Sequence, residues 1–359
     1  MKKMSRVFLF ALFVAMVSAC AEEEKLCPGG ESACGELCVD TRTDPMNCGG
    51  CGNVCAQGEL CIEGTCGCPD GEASCEEITP DLFALCFQAG QLVPLSKEHE
   101  IRTGASLSGM EGPQTMAVLD EDHLVVVGAL DQTLRVVDRK RMEVVGSLTF
   151  AAGAGDTSPN HVIVEGRRAY VTQSTTNEIT AVDLEDPTAP KVVYSVSTGE
   201  GTNPSFVAMD DEDTLWVSLW LAGGVLPIEA GPESGEAKEV VTIMTEELEG
   251  LPYPSGVAAV GNRIYVALNN LDESFAPAGN GRLWVYDRNE ETQEFVDLGE
   301  DCKNASGVAT QGERVYITCT GTYSGDGALA VYDPAAADPV KVFPTGGAPT
   351  RISTDGKKL

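Results

Sequence analysis

The chain has 359 residues and a formal net charge of −31, with 24 Lys and Arg residues against 55 Asp and Glu residues. This balance leaves no basic patch to hold a phosphate backbone, so nucleic acid is excluded as a main partner. The cysteines are unevenly spread, because 11 of the 14 lie between Cys27 and Cys86 and only Cys302 and Cys319 follow. The composition therefore predicts a short cysteine-rich part and a longer part with few cysteines.

The N-terminus has the pattern of a bacterial export signal. A basic start is followed by an apolar run over residues 7–17 that is too short to span a bilayer comfortably. The run ends in "VSAC", which resembles the lipobox at which bacterial lipoproteins are cleaved and acylated. The resemblance implies a signal peptide over 1–19, a lipid on Cys20 and an acidic tether over 20–26. The alternative is an ordinary secretory signal with a chance cysteine, and both interpretations export the chain.

An acylated Cys20 implies a membrane anchor, because several acyl chains together hold a protein stably on a bilayer. The next residue is Ala21 and not the aspartate that commonly retains lipoproteins at the inner membrane. This favours the outer membrane or the cell surface of a bacterium.

Residues 27–75 contain few large apolar side chains, so cross-links must replace a hydrophobic core. Outside the cytoplasm, dense cysteines form disulfides and not zinc sites or reduced redox pairs. Disulfides are predicted at Cys27, Cys34, Cys38, Cys48, Cys51, Cys55, Cys61, Cys66, Cys68 and Cys75. Their connectivity and the role of Cys86 stay open.

The cysteine spacing from Cys34 to Cys68 resembles a known repeat. The shared features are "CGELCVD", "TDP", "NCGGCG" and the later "GELCIEGTC". They are similar to the cysteine-rich repeat named after plant stigma-specific proteins, which also occurs in exported bacterial proteins. The resemblance implies a rigid, disulfide-stapled module without enzymatic activity.

The second part of the chain is repetitive. Each repeat has a short apolar strand, a polar turn, a second strand with an aromatic residue or valine, and a third strand that ends in an acid. Repeats start at Pro113, Pro159, Pro204, Pro254, Ala305 and Pro349, with spacings of 46, 45, 50, 51 and 44 residues. Four strands at this period are typical of a β-propeller blade. The sequence therefore predicts an all-β chain, with a linker over 76–90 and a propeller of five blades and a partial sixth over 91–359.

The stretches "AYVTQSTTNEITAVD" and "IYVALNN" resemble YVTN-type propellers. That family includes surface-layer and periplasmic proteins, and its fold also carries some lactonases. The resemblance therefore implies the fold more strongly than any activity.

The sixth repeat stops after "STDGKKL", where the other repeats continue into a second strand. Thirteen cysteines, an odd number, remain besides Cys20. Both observations favour a chain that is truncated at its C-terminus. The alternative is closure by mixed strands, in which residues 91–108 supply the outer strands of a sixth blade.

No catalytic motif is present, and His99, His123 and His161 are interpreted as solvated or structural histidines. Polar residues near strand ends are weaker candidates for a ligand-facing site: Asn160, Asn203, Asn269, Asn270, Asp131 and Asp272. Metal-dependent propeller lactonases use such side chains from several blades, but asparagine also stabilises turns. The turn interpretation is preferred, and no cofactor or metal is predicted.

Cys302 and Cys319 flank the first two strands of one blade and are predicted to pair. A turn near Gln311 returns Cys319 to a position opposite about Ser306, close to the loop that carries Cys302. The alternatives are two separate cysteines or a bridge to Cys86. The whole sequence predicts an exported, lipid-anchored, non-enzymatic protein that binds a protein or glycan, with a propeller hydrolase as the alternative.

Overall fold

The computed structural model describes residues 31–34, 37–55, 59–67, 82–95, 106–150 and 156–352. All regular structure in these ranges is β-strand, and no described helix is long and apolar enough to cross a membrane. The predicted lipidation site at Cys20 and the predicted disulfide residues Cys27, Cys68 and Cys75 lie outside these ranges. The all-β fold class predicted from the sequence is confirmed.

The cysteine-rich module consists of two small hairpins, β1 (Ser32–Cys34) with β2 (Leu37–Val39) and β3 (Leu60–Ile62) with β4 (Thr65–Gly67). Three disulfides with Cα separations of 5.3, 5.4 and 5.3 Å join Cys34 to Cys51, Cys48 to Cys61 and Cys55 to Cys66. Cys38 is also disulfide-bonded. These bonds overlap along the chain, so each hairpin is tied to the loop between them.

Glycine is required at one close approach in this module. Gly49 has a φ of 73°, and a Cβ added there would lie 2.6 Å from the carbonyl oxygen of Gly64. Only glycine accepts both conditions without strain. The Sγ atoms of Cys48, Cys55 and Cys66 lie within 4.8 Å of one another, but all three sulfurs belong to disulfides.

Five antiparallel blades follow, and each is described by its innermost strand first. Blade 1 consists of β7 (Pro113–Val118), β8 (His123–Gly128), β9 (Thr133–Asp138) and β10 (Glu143–Thr149). Blade 2 consists of β11 (Pro159–Glu165), β12 (Arg168–Gln173), β13 (Glu178–Asp183) and β14 (Lys191–Ser197). Both blades keep the strand order predicted from the repeat.

Blade 3 has a divided outer edge. It consists of β15 (Pro204–Met209), β16 (Thr214–Leu219) and β17 (Gly224–Ala230), with β18 (Gly235–Ala237) and β19 (Val241–Thr242) both paired to β17. Blade 4 consists of β20 (Pro254–Val260), β21 (Arg263–Leu268), β22 (Arg282–Asp287) and β23 (Thr292–Asp297). Blade 5 consists of β24 (Ala305–Gln311), β25 (Arg314–Cys319), β26 (Ala328–Tyr332) and β27 (Val340–Pro344).

The hydrophobic core lies between neighbouring blades. Successive residues of a strand face opposite sides of the sheet, so β8 contributes to two different clusters. Val125 and Val127 pack with blade 2, whereas Leu124 and Val126 pack with Leu92. Each blade therefore packs against a neighbour on both faces, and its stability depends on both contacts.

Leu92 belongs to a hairpin that precedes blade 1, formed by β5 (Leu82–Cys86) and β6 (Gln91–Leu95). Leu92 also forms an isolated bridge with Leu107. β5 falls within the segment predicted as a linker, and its residues Phe83 and Leu85 pack against the core of blade 1. The hairpin thus covers the face of blade 1 that is opposite blade 2.

The segment 349–352 lies where the inner strand of a sixth blade is expected. A Cβ added to Gly307 of β24 would lie 2.9 Å from the carbonyl oxygen of Thr350 and 3.0 Å from the Cα of Arg351. The hydroxyl of Thr320 in blade 5 donates a hydrogen bond of 3.0 Å to the Pro349 carbonyl. The described residues place the hairpin and this segment at the same gap in the ring, between blades 5 and 1.

Candidate functional site

A register shift occurs at the start of the inner strand of every blade. The shifts lie at Pro113/Thr115, Pro159/His161, Pro204/Val207, Pro254/Val257 and Ala305/Val308. A β-bulge of this kind re-aims side chains out of the regular alternation. The second and third residues of each inner strand are therefore the ones that can turn toward the central channel.

Polar side chains bridge these bulges from blade to blade. The Thr172 hydroxyl donates to the Ser205 carbonyl at 2.9 Å, across the boundary between blades 2 and 3. The Asn269 amide donates to the Ala305 carbonyl at 2.7 Å, across the boundary between blades 4 and 5. Such bonds satisfy backbone groups that the bulges release from the sheet ladder. Polar hydrogen bonds therefore join neighbouring blades at these two boundaries.

Arg351 crosses this channel. Its backbone lies beside β24, yet its Nη2 donates to Gln114 Oε1 at 3.1 Å and to Asn160 Oδ1 at 2.8 Å. Its guanidinium carbon lies 4.8 Å from the centre of the Phe206 ring, a cation–π geometry. These partners come from blades 1, 2 and 3, so the side chain must lie near the propeller axis.

His161 lies in the same group. Its ring centre is 4.6 Å from that of Phe206, and its Nδ1 accepts a hydrogen bond of 3.3 Å from the Val207 amide. Burial, and then the positive charge of Arg351, lower the pKa of His161 to about 3. The imidazole is therefore neutral at ordinary pH, and with Nδ1 as acceptor its proton is on Nε2.

A second group of side chains lies between blades 3 and 4. It consists of Trp220, Tyr253 and Phe275 and is called the aromatic loop cluster. The ring centres of Trp220 and Phe275 are 5.5 Å apart and nearly parallel, and Tyr253 lies 4.7 Å from Trp220. Burial and then the charges of Glu273 and Asp272 raise the pKa of Tyr253. These loops leave second strands or enter inner strands, so the cluster lies at the end of the propeller where the inner strands begin.

The backbone of this cluster is strained. Tyr253 has a φ of 41° and Phe275 a φ of 63°, and Tyr323 of blade 5 also has a φ of 63°. Bulky residues rarely adopt the left-handed region, and such outliers concentrate at functional sites. The strain indicates that aromatic side chains are held at these loops against the local backbone preference.

Among the residues predicted to face a ligand, only Asn160 is brought to Arg351. The Asn269 side chain accepts from Trp220 Nε1 at 2.9 Å and links three blades. Asn270 is fully buried and binds Gly250, Glu249 and Asn280 of its own loop region. Asn203 has a φ of 52° in the loop that enters β15. Asn269 therefore links neighbouring blades and Asn270 connects two loops, whereas Asn203 lies in the loop that enters β15.

The two predicted aspartates do not converge. Asp131 is ion-paired with Arg135 at 2.5 Å and accepts a hydrogen bond from the Glu111 amide. Asp272 accepts hydrogen bonds from the Ser274 hydroxyl and the Ala276 amide, which lower its pKa. Each carboxylate is used within its own blade.

Sequence reasoning missed Gln114, Phe206 and Arg351 as channel residues. The available signal was their position, since each is the second or third residue of an inner strand in the repeat. The third residues are Thr115, His161, Phe206, Gly256, Gly307 and Arg351. This column varies in size and charge, whereas the residue before it is polar and the residue after it is apolar in every repeat. Such variation within a fixed pattern is typical of positions that line a site.

A family model matches the N-terminal part of the chain. It describes the stigma-specific STIG1-like protein family and covers residues 13–69, well under half of the sequence. The cysteine-rich module is therefore similar to this family, as the spacing predicted. No curated protein sequence matches the chain.

Solved structures match the propeller. Hydrazine synthase from Kuenenia stuttgartiensis superposes with a TM-score of 0.62 at 17% identity, covering 77% of this chain and 86% of that chain. Virginiamycin B lyase from Staphylococcus aureus gives 0.57 at 12%, covering 73% and 80%. A 6-phosphogluconolactonase-like protein from Bacteroides uniformis gives 0.54 at 12%, covering 74% and 82%. Together with the five blades, these likenesses establish a β-propeller preceded by a cysteine-rich module.

Proposed function

We propose that the chain is an exported, lipid-anchored bacterial protein of the outer membrane or cell surface that binds a glycan and performs no catalysis. The aromatic loop cluster is the observation that carries this proposal. Ligand sites are enriched in aromatic side chains, which supply a large contact area at low entropic cost. Trp220 and Phe275 are partly exposed and Tyr253 is largely buried beneath them.

A glycan fits this cluster better than a protein surface does. The three rings form a compact platform, and the carboxylates of Asp272 and Glu273 beside it are exposed hydrogen-bond acceptors for hydroxyl groups. A stable protein interface would need a patch of about 800 Å² on each partner. A protein ligand is the alternative outcome of the test.

The binding proposal is tested on a glycan array with the purified propeller and two loop variants. Trp220→Ala and Phe275→Ala should each weaken binding at least tenfold, because they remove the stacking surface. Phe343→Ala is the matched control, since Phe343 is 52% exposed on the outer strand β27. If Phe343→Ala weakens binding as much as the loop variants do, the aromatic loop cluster is not the binding site. If no glycan on the array binds, a protein ligand is favoured.

Anchoring rests on "VSAC" at residues 17–20, and export is further supported by the disulfides, which persist in oxidising compartments. Cys20→Ser should release the protein from the detergent-extractable membrane fraction or leave it unprocessed. The measurement is fractionation with immunoblotting, and Ala21→Ser serves as the control. A Cys20→Ser variant that fractionates and migrates like the parent would show that the lipid is absent.

A propeller hydrolase is the second candidate, because one of the similar structures is a lactonase-like protein. Two observations weigh against it. The cationic Arg351 lies where a central metal ion would be repelled. His161, with its pKa lowered to about 3, is a poor general base near neutral pH. Hydrolysis of a lactone panel with added divalent cations, lost in His161→Gln, would reverse this preference.

A further inference from the structure

The buried guanidinium at the centre of the propeller has no countercharge among the described residues. Arg351 is partnered by the neutral amides of Gln114 and Asn160, and its Nη1 is buried with no hydrogen-bond partner in the described part of the chain. Burial is the sole cause that lowers its pKa to about 10, and no described carboxylate acts on it. This is unexpected in a chain with 55 acidic residues, because buried charges are normally paired.

The groups around Arg351 complete an anion-binding environment. The Nε2–H of neutral His161 is a hydrogen-bond donor, and the Gln114 amide, whose oxygen accepts from Arg351, also has an NH2 group that can donate. The Asn160 amide nitrogen already donates to Ser205. Gln114, Asn160 and His161 are each partly exposed, so solvent reaches the channel beside the guanidinium. Phe206 closes the other side of the guanidinium and holds it in place.

We propose that the channel binds a carboxylate group on Arg351, with His161 and the Gln114 amide as neutral donors. A planar guanidinium is suited to a carboxylate because two parallel N–H groups match its two oxygens. A carboxylate is favoured over a phosphate because only one cation faces the channel among the described residues. A second negative charge on the ligand would be uncompensated there and repelled by the acidic protein. The site goes beyond the aromatic loop cluster, since it rests on the channel residues alone.

The first test measures the thermal stability of the full chain by tryptophan fluorescence with three probes at equal ionic strength. The probes are sodium glucuronate, glucose and sodium phosphate. Glucuronate at tenfold excess over its Kd should raise Tm by about 2–4 °C, because a ligand of the folded state alone stabilises it. Glucose and phosphate should leave Tm unchanged. An equal rise with glucose would place binding at the aromatic loops and overturn the carboxylate site.

Two variants make the test specific. Arg351→Gln should abolish the glucuronate shift, whereas Arg314→Gln, an exposed residue on the blade 5 edge, should keep it. Gln114→Glu places a carboxylate oxygen where the Gln114 amide oxygen already accepts from Arg351. That variant should raise Tm without ligand and remove the response to glucuronate. A lowered Tm in Gln114→Glu, or a shift that persists in Arg351→Gln, would overturn the proposal. Loss of glycan binding in Trp220→Ala with the glucuronate shift intact would separate the two sites.

Discussion

Among single residues, His161 should make the propeller sensitive to acid. Its pKa is about 3 in the folded chain against an ordinary 6.5, so the unfolded chain binds the proton first as pH falls. Folding stability should therefore decrease between pH 6.5 and 3, by up to about 1.4 kcal/mol for each pH unit. His161→Gln keeps an acceptor for the Val207 amide but does not titrate. Urea unfolding at pH 7, 6, 5 and 4 should show a steeper loss for the parent, and parallel curves would contradict this assignment.

A buried ion pair joins blades 3 and 4 at the opposite end of the propeller. The Asp210 side chain is 0% exposed, and it binds Trp216 Nε1 at 2.7 Å and Arg288 Nη1 at 2.6 Å. Arg288→Met removes the charge that compensates a buried carboxylate, so it should destabilise the chain by about 3–5 kcal/mol. The same change at Arg314, whose pair with Asp333 is exposed, should cost less than about 1 kcal/mol. Equal effects in chemical denaturation would show that Asp210 is not held by Arg288.

At the scale of strands and turns, the acid at the end of the third strand in blades 1, 2, 4 and 5 has a local cause. Asp138 accepts hydrogen bonds from the amides of Lys140 and Arg141, and Asp287 accepts from those of Asn289 and Glu290. These side chains stabilise the turn into the outer strand, and the bonds lower their pKa values against the effect of burial. The acid at this position is therefore used by the turn into the outer strand.

The disulfide of blade 5 fixes the loop before its inner strand. Cys302 and Cys319 are bonded with a Cα separation of 5.1 Å and are both 0% exposed, so neither pairs with Cys86. Cys319 lies opposite Ala305, one residue from the position expected in a simple hairpin, because the bulge after Ala305 shifts the register. The bond lies in the core between blades 4 and 5.

Replacing both cysteines by alanine should lower stability by about 3 kcal/mol, the value expected for closing a loop of this size. Denaturation can be followed by tryptophan fluorescence, because Trp216, Trp220 and Trp284 all belong to the propeller. Full reduction should remove most of the difference between parent and variant. If the unreduced parent and the variant unfold at the same denaturant concentration, the disulfide does not stabilise the propeller.

For the whole molecule, the hairpin of β5 and β6 decides whether the ring has an exposed face. Leu92 is 0% exposed and packs with Met110, Leu124, Val126 and Val137. Leu92→Ala should therefore destabilise the propeller by about 2–5 kcal/mol, through lost burial and a residual cavity. Ile62→Ala, 46% exposed in the cysteine-rich module, should change stability by less than about 0.5 kcal/mol. An unchanged unfolding midpoint in Leu92→Ala would show that blade 1 is stable without the hairpin.

The sequence by itself determined the blades, their strands and the oxidised state of the described module. These features depend on local periodicity, on turn residues and on cysteine density, all of which act over a few tens of residues. The inner strands start at Pro113, Pro159, Pro204, Pro254 and Ala305, as the repeat predicted. The closing role of residues 82–95 was only partly predicted, because an apolar hairpin without a repeat partner carries no periodic signal.

The channel was decided by the tertiary structure alone. The Arg351 side chain binds Gln114, which is 237 residues away in sequence, and Asn160, which is 191 residues away. Only the closure of the ring brings these residues together. The bulges add a second reason, because they rotate particular side chains out of the period-two alternation that sequence analysis reads. The local sequence pattern determines where each strand begins. Which side chains come together at the propeller axis depends on the packing of all the blades.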